Sequence, residues 1–127
     1  MPRPPTLFKT EADLLGALAH PTRLQILEVL REGEACVCHI QATLRQRQAY
    51  VSQQLMALRQ AGLVTTRKEG LRVYYQVSDP QILTVLEDVR AVAHQREKDS
   101  KGQAAQRPFF PPRGRCNCPQ CSSAAQD

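Results

Sequence analysis

Apolar residues recur along this chain first at a helical period, then at a strand period, then at a helical period again. From about Glu11, Leu14, Leu15 and Leu18 fall on one side of a helix. His20-Pro21 interrupts the run. Proline is well tolerated at the first helical position, so a second helix is expected to begin at Pro21. It carries Leu24, Ile26, Leu27, Val29 and Leu30 and stops near Glu32-Gly33, glycine being favoured just past a helix end. A short third helix follows over about Val37–Leu44. A fourth runs from about Gln48 to Gln60, with Val51, Leu55 and Leu58 on one side and Gly62 closing it.

After Gly62 the period drops to two. Leu63–Lys68 and Leu71–Val77 read as strands joined at Glu69-Gly70. In the second strand Leu71, Val73, Tyr75 and Val77 share one face, and Arg72, Tyr74 and Gln76 share the other. Asp79-Pro80 opens a last helix, capped by Ser78 or Asp79, with Ile82, Val85, Leu86 and Val89 as its apolar stripe. The pattern divides the chain into a Pro-rich arm over residues 1–8, a folded domain over 9–100 and a Gln-, Pro-, Gly- and Ser-rich flexible tail over 101–127. Four helices, a hairpin and a helix predict a mainly α fold with a small β-hairpin. This is the winged helix-turn-helix, whose fourth helix would enter the major groove of DNA.

Size and charge agree with that order without proving it. A chain of 127 residues fits one domain and a tail, and so thin a module gains by burying more surface in a dimer. The hydrophobic share of 42% and charged share of 23% are those of a soluble globular protein. No run approaches the roughly 18 apolar residues of a membrane span, and Met1-Pro2-Arg3-Pro4-Pro5 lacks an apolar signal core. A cytoplasmic protein with no membrane partner is expected. Seventeen Lys and Arg against twelve Asp and Glu give a net +5, which suits phosphate and doubles in a dimer.

With Val51, Leu55 and Leu58 turned inward, the fourth helix presents Ala49, Ser52, Gln53 and Met56 outward, flanked by Gln48 and Tyr50. Gln pairs with adenine, Ser with either polarity, and Ala meets a thymine methyl. Arg45 and Arg47 precede the helix and would lie near phosphates. Arg67, Lys68 and Arg72 cluster toward the hairpin tip, as a wing over the DNA backbone requires. Any one of these residues could be an ordinary solvated position; the ordered set is what points to double-stranded DNA. A symmetric dimer then implies a pseudo-palindromic operator with half-sites about 34–36 Å apart.

At this point the sequence resembles the ArsR/SmtB family of bacterial metal-responsive repressors. The likeness runs from about Leu14 to Tyr75 and is carried by LGALAHPTRLQILEVLREGEACVCHI, VSQQLMALRQAGLV and GLRVYYQV. The resemblance implies a homodimer built from the first and last helices, and release from DNA on metal binding. ACVCHI looks like the family's thiolate motif. Two departures matter. The recognition helix often has His where this chain has Gln54, and the first half of a last-helix zinc site is replaced by Gln81 and Leu83. His94 and Glu97 match only its second half, so they read as a solvated i, i+3 pair.

Five cysteines in two tight clusters (Cys36 and Cys38; Cys116, Cys118 and Cys121) suggest metal or redox chemistry rather than structural disulfides. Cys36 and Cys38 are expected at the start of the third helix, where residues two apart point about 200° from one another. Joining them to one ion requires a loosened first turn, or a pair that precedes regular helix. Either way the scaffold of the DNA-reading helix would be disturbed. Thiolates favour arsenite, antimonite, cadmium or lead, and with four sulfurs zinc, over magnesium or manganese. The stretch from about residue 100 to Cys116 spans roughly 20–25 Å as a flexible coil, enough to bring tail sulfurs to the pair in the same or the partner subunit.

Three rivals follow from the same residues. A repressor of this fold could be switched by oxidation of Cys36 or Cys38. A small thiol oxidoreductase is disfavoured because no C-x-x-C opens a helix in a βαβ setting and no acid–base cluster is present; no enzyme is expected. A metal buffer would rely mainly on CNCPQC in the tail.

Overall fold

A computed structural model describes residues 8–101, with side chains to residue 99. The elements are α1 (Lys9–Leu18), α2 (Pro21–Leu30), β1 (Ala35–Cys36), α3 (Val37–Leu44), α4 (Gln48–Gln60), β2 (Val64–Glu69), β3 (Arg72–Val77) and α5 (Pro80–Lys101). Residues 1–7 and 102–127, which hold most of the expected arm and tail, lie outside the described residues. The four long apolar periods all become helices. α5 runs to Lys101, at the expected boundary between domain and tail, and Gln95, Arg96, Glu97 and Lys98 near its end are all good helix formers.

Local chemistry explains the boundaries. His20 caps α2: its backbone is extended and its Nδ1 accepts the Thr22 amide at 3.2 Å, with Pro21 at the first helical position. Asp79, rather than Ser78, caps α5 by accepting the Gln81 amide at 2.9 Å. Ser78 instead donates to the Gly62 carbonyl at 2.7 Å. α4 ends in a two-bond left-handed turn, with Gly62 N–H on the Arg59 carbonyl at 3.0 Å and Leu63 N–H on the Leu58 carbonyl at 2.9 Å. Gly62 takes φ +77°, a conformation that costs a side-chain-bearing residue energy.

The core lies where α2, α3 and α4 meet the sheet. Ile26, Leu27, Ile40, Val51, Leu55 and Leu58 are completely buried. α5 joins through Leu86 and through an ion network in which Glu28 of α2 receives Arg31 and Arg90, each at 2.9 Å, while Arg31 also meets Glu87 at 3.0 Å. Outside this core, Phe8, Leu14 and Leu15 on or beside α1 and Val89 and Val92 on α5 remain exposed.

Three details differ from the sequence expectation. The sheet has three strands in the order β1-β3-β2, all antiparallel, because Ala35 and Cys36 pair with Tyr75 and Tyr74. A two-residue strand has no alternation to detect. Leu71, expected on the apolar face of its strand, lies in the tip turn and is fully exposed. Tyr74, expected on the solvent face, is buried at 7% against Cys36 and Cys38. Both faces of β3 are therefore covered at its centre, one by the core and one by the cysteines.

Leu55 has no exposed surface and is central to the α4 contact. Leu55→Ala should destabilise folding by about 2–5 kcal/mol, visible as a lower urea midpoint at unchanged slope. A loss under 1 kcal/mol would contradict this packing.

Candidate nucleic-acid interface and thiol site

α4 has an inner edge of Val51, Leu55 and Leu58 and an outer surface on which Gln48, Ala49, Gln53 and Met56 are exposed and Ser52 is half-buried. Arg45 and Arg47, in the turn between α3 and α4, are exposed. Arg45 has φ +56°, the left-handed backbone that Gly or Asn would adopt more easily. This left-handed residue ends α3, its backbone N–H reaching the Gln41 carbonyl.

Tyr50 and Gln54 point the other way. The Tyr50 hydroxyl hydrogen-bonds Thr22 Oγ1 at 3.1 Å, and its ring lies beside His20, with centroids 6.5 Å apart. Arg23 Nε donates to Gln54 Oε1 at 2.9 Å, and Arg23 Nη1 donates to the Ala17 carbonyl at 3.1 Å. His20-Pro21-Thr22-Arg23 thus brackets the back of α4 onto the start of α2. Each bond fixes the rotation of the helix whose other face is exposed. Sequence reading grouped Tyr50 with the outward residues because it flanks the helix start; the bracket needed the tertiary contact to be seen.

In the hairpin, Lys68 is exposed and Arg72 is half-buried opposite Glu69. Arg67 lies across the sheet. Its guanidinium carbon sits 4.8 Å from the centre of the Tyr74 ring. Nε and Nη2 reach Glu34 at 3.0 and 2.5 Å, and Nη1 reaches Glu69 at 2.9 Å. The guanidinium holds the Glu34 carboxyl below its ordinary range, and the two carboxylates raise the pKa of Arg67 further. Glu34 and Tyr74 carried no sequence signal of this role.

Cys36 and Cys38 straddle a strand–helix junction. Cys36 is buried at the end of β1, with extended backbone (φ −80°, ψ 162°), at the position immediately before α3. Cys38 is half-buried in the first turn of α3, and both are thiols packed against Tyr74. The opposed directions of two positions within a regular helix therefore do not apply to this pair: one member precedes the helix. Two soft donors on a shared aromatic neighbour suit a thiophilic ion. Among the described residues, no group of three or more His, Cys, Asp or Glu is arranged to hold a metal ion, and His94 and Glu97 on α5 form no such group. Cys116, Cys118 and Cys121 lie outside the described residues.

Residues 20–66 match the family described as bacterial regulatory protein, arsR family. The biofilm growth-associated repressor of Agrobacterium fabrum is 40% identical over 81 residues, covering 64% of this chain and 69% of that protein. The chain belongs to the arsR family. A cadmium resistance transcriptional regulatory protein CadC homolog of Staphylococcus aureus is 38% identical over 92 residues, 72% of this chain and 74% of that protein. The solution structure of the homodimeric winged helix-turn-helix DNA-binding domain Mb0332 of Mycobacterium bovis aligns at TM-score 0.67 and 30% identity, covering 84% of this chain and 96% of that one. The fold is the winged helix-turn-helix, and these arsR relatives are transcriptional regulators rather than enzymes. No helix among the described residues is long and apolar enough to cross a membrane.

The Glu34–Arg67 pair gives a pH prediction. A carboxyl whose folded pKa lies below its ordinary 4.5 adds stability that is present above pH 4.5 and lost as pH falls through the folded value. Glu34→Gln should lower the melting temperature slightly near neutrality, with the gap to the parent closing as pH drops below about 4.5. A gap that stays constant down to pH 3 would show that the carboxylate charge is not the cause.

Proposed function

We propose that this chain is a homodimeric, cytoplasmic transcriptional repressor that binds a pseudo-palindromic operator and is released when a thiophilic ion engages its cysteines. The observation that carries the DNA half is the exposed outer surface of α4, flanked by Arg45 and Arg47 and braced from behind by the His20–Arg23 bracket. In this reading Gln48, Ala49, Ser52 and Gln53 face base edges. Arg45, Arg47, Lys68 and Arg72 contact phosphates and set register. Tyr50 and the exposed Arg67 brace the interface rather than contact DNA, since their polar atoms are already engaged within the chain. Exposed Leu14 and Leu15 of α1 and Val89 and Val92 of α5 supply an apolar face for a second copy, consistent with the homodimeric state named for the Mycobacterium bovis domain.

The thiol half rests on Cys36 and Cys38 at the strand–helix junction and on kinship with a regulator named for cadmium resistance. Soft sulfur donors favour arsenite and antimonite, with cadmium and lead next. A three-sulfur site suits the trivalent metalloids and a four-sulfur site the divalent ions. We assign the remaining sulfurs to Cys116, Cys118 and Cys121. An ion that draws Cys36 and Cys38 together acts on the junction that seats α3, the helix against which α4 packs. The difference in ion affinity between the DNA-competent and released states is the coupling free energy.

Fluorescence anisotropy with operator DNA tests both halves. Arg45→Asn keeps a residue that accepts left-handed backbone, and should reduce the salt slope of operator binding by about 0.9, the loss of one phosphate contact. Cadmium or arsenite should weaken operator binding of the parent about 10–100-fold. In the variant with both Cys36→Ser and Cys38→Ser, the ratio of Kd with and without the ion should stay near one. Release of the parent by peroxide alone, with no response to either ion, would replace ion sensing by cysteine oxidation.

A further inference from the structure

Arg67 was a natural candidate for a phosphate contact on the wing, yet its surroundings suit a different task. The register aligns Cys36, Tyr74 and Arg67 in one row across β1, β3 and β2. Neighbouring positions in such a row place their side chains on the same face of the sheet. Arg67 extends along that row, over the Tyr74 ring, and closes on Glu34, two residues before Cys36. A two-point arginine–carboxylate contact is directional, and here it ties one edge strand to the other across the central strand. The second carboxylate, Glu69, holds the same guanidinium from the wing side at 2.9 Å. One positive charge between two negative ones leaves this trio with a net negative charge, which is poorly suited to a DNA phosphate. Lys68 and Arg72 remain for that purpose.

From this geometry we infer that Glu34 and Tyr74 are positioning residues that hold Arg67 as a staple between the thiol strand and the wing, and that this staple carries the thiol signal to the wing. The inference rests on the thiol switch proposed above. Tyr74 belongs to both ends of the connection: it shares a buried cluster with Cys36, against which Cys38 packs, and its ring carries the Arg67 guanidinium. Any change in the spacing of the two sulfurs must be accommodated beside that ring, since Cys36 and Tyr74 are both buried. A shifted ring withdraws the surface on which Arg67 lies, and a shifted β1 moves Glu34. The hairpin then loses its fixed angle to α4, so wing and recognition helix no longer meet DNA together.

Two variants test this, each measured for operator affinity against salt and with saturating cadmium. Glu34→Gln removes the carboxylate charge from a partly exposed side chain and keeps its shape. Tyr74→Leu removes the ring and keeps an apolar filling. In both, cadmium should still bind, judged by thiolate-to-metal absorption at the parent's stoichiometry. Operator release by cadmium should fall from about 10–100-fold in the parent to under about threefold. The ion-free Glu34→Gln protein should already bind operator more weakly than the parent, because its wing is loosened, with a salt slope no steeper than the parent's. Without any ion, amide hydrogen exchange in β2 and β3 of Glu34→Gln should be faster than in the parent, while α2 and α4 are unchanged.

A salt slope steeper by about 0.9 in Glu34→Gln would mean that Arg67 is a restrained phosphate contact, and would overturn the staple. Full cadmium release in Glu34→Gln would overturn the coupling, even if Tyr74→Leu fails to fold. A parent that binds cadmium but keeps its operator, or binds none at Cys36 and Cys38, would instead refute the thiol switch and with it the coupling; hydrogen exchange would still decide the staple.

Discussion

Two backbone pairings, Ala35 with Tyr75 and Cys36 with Tyr74, determine what is distinctive about this chain. They turn a hairpin into a three-stranded sheet and hold Cys36 in extended backbone immediately before α3. Without them, Cys36 would have no fixed relation to Cys38, to Tyr74 or to the wing. The pairing also separates the faces of β3. Tyr75 and Val77 pack against the main core, whereas Tyr74 faces the cysteines. A short strand thus joins the two sulfurs to the hairpin of β2 and β3.

α4 is held by a different means. Its inner edge is fully buried, and burial alone sets its distance from the core. Hydrophobic packing is non-directional and fixes rotation weakly; hydrogen bonds are directional. Thr22 on Tyr50 and Arg23 on Gln54 supply that direction from α2, and the two-bond turn at Gly62 fixes where α4 stops and the wing starts. The polar residues at the back of α4 therefore determine where the exposed ones at its front point. Gln54 belongs to the back of the helix, its side chain occupied by Arg23.

Most of the fold was legible in the order of apolar residues, because α1, α2, α4 and α5 are long enough for their period to be read. The inward positions Val51, Leu55 and Leu58 followed from spacing alone and are all fully buried. The cysteine pair was legible as chemistry but not as geometry. Its environment depends on a two-residue strand whose partner lies 38 residues further along, Cys36 against Tyr74. Tyr74 was misplaced because alternation assigns faces without saying what covers each one. Arg67 was read by its charge and its place near a hairpin tip, while Glu34, which engages it, lies 33 positions away. Contacts of that range are set by topology, and no local pattern announces them.

If operator binding and thiol occupancy are linked in one molecule, as proposed, the linkage is reciprocal. Calorimetric titration of cadmium into the full chain, free and saturated with operator DNA, tests it most directly. Operator should weaken cadmium binding by the same factor by which cadmium weakens operator binding, about 10–100-fold. Equal cadmium affinity with and without DNA would contradict it, however tightly the ion binds.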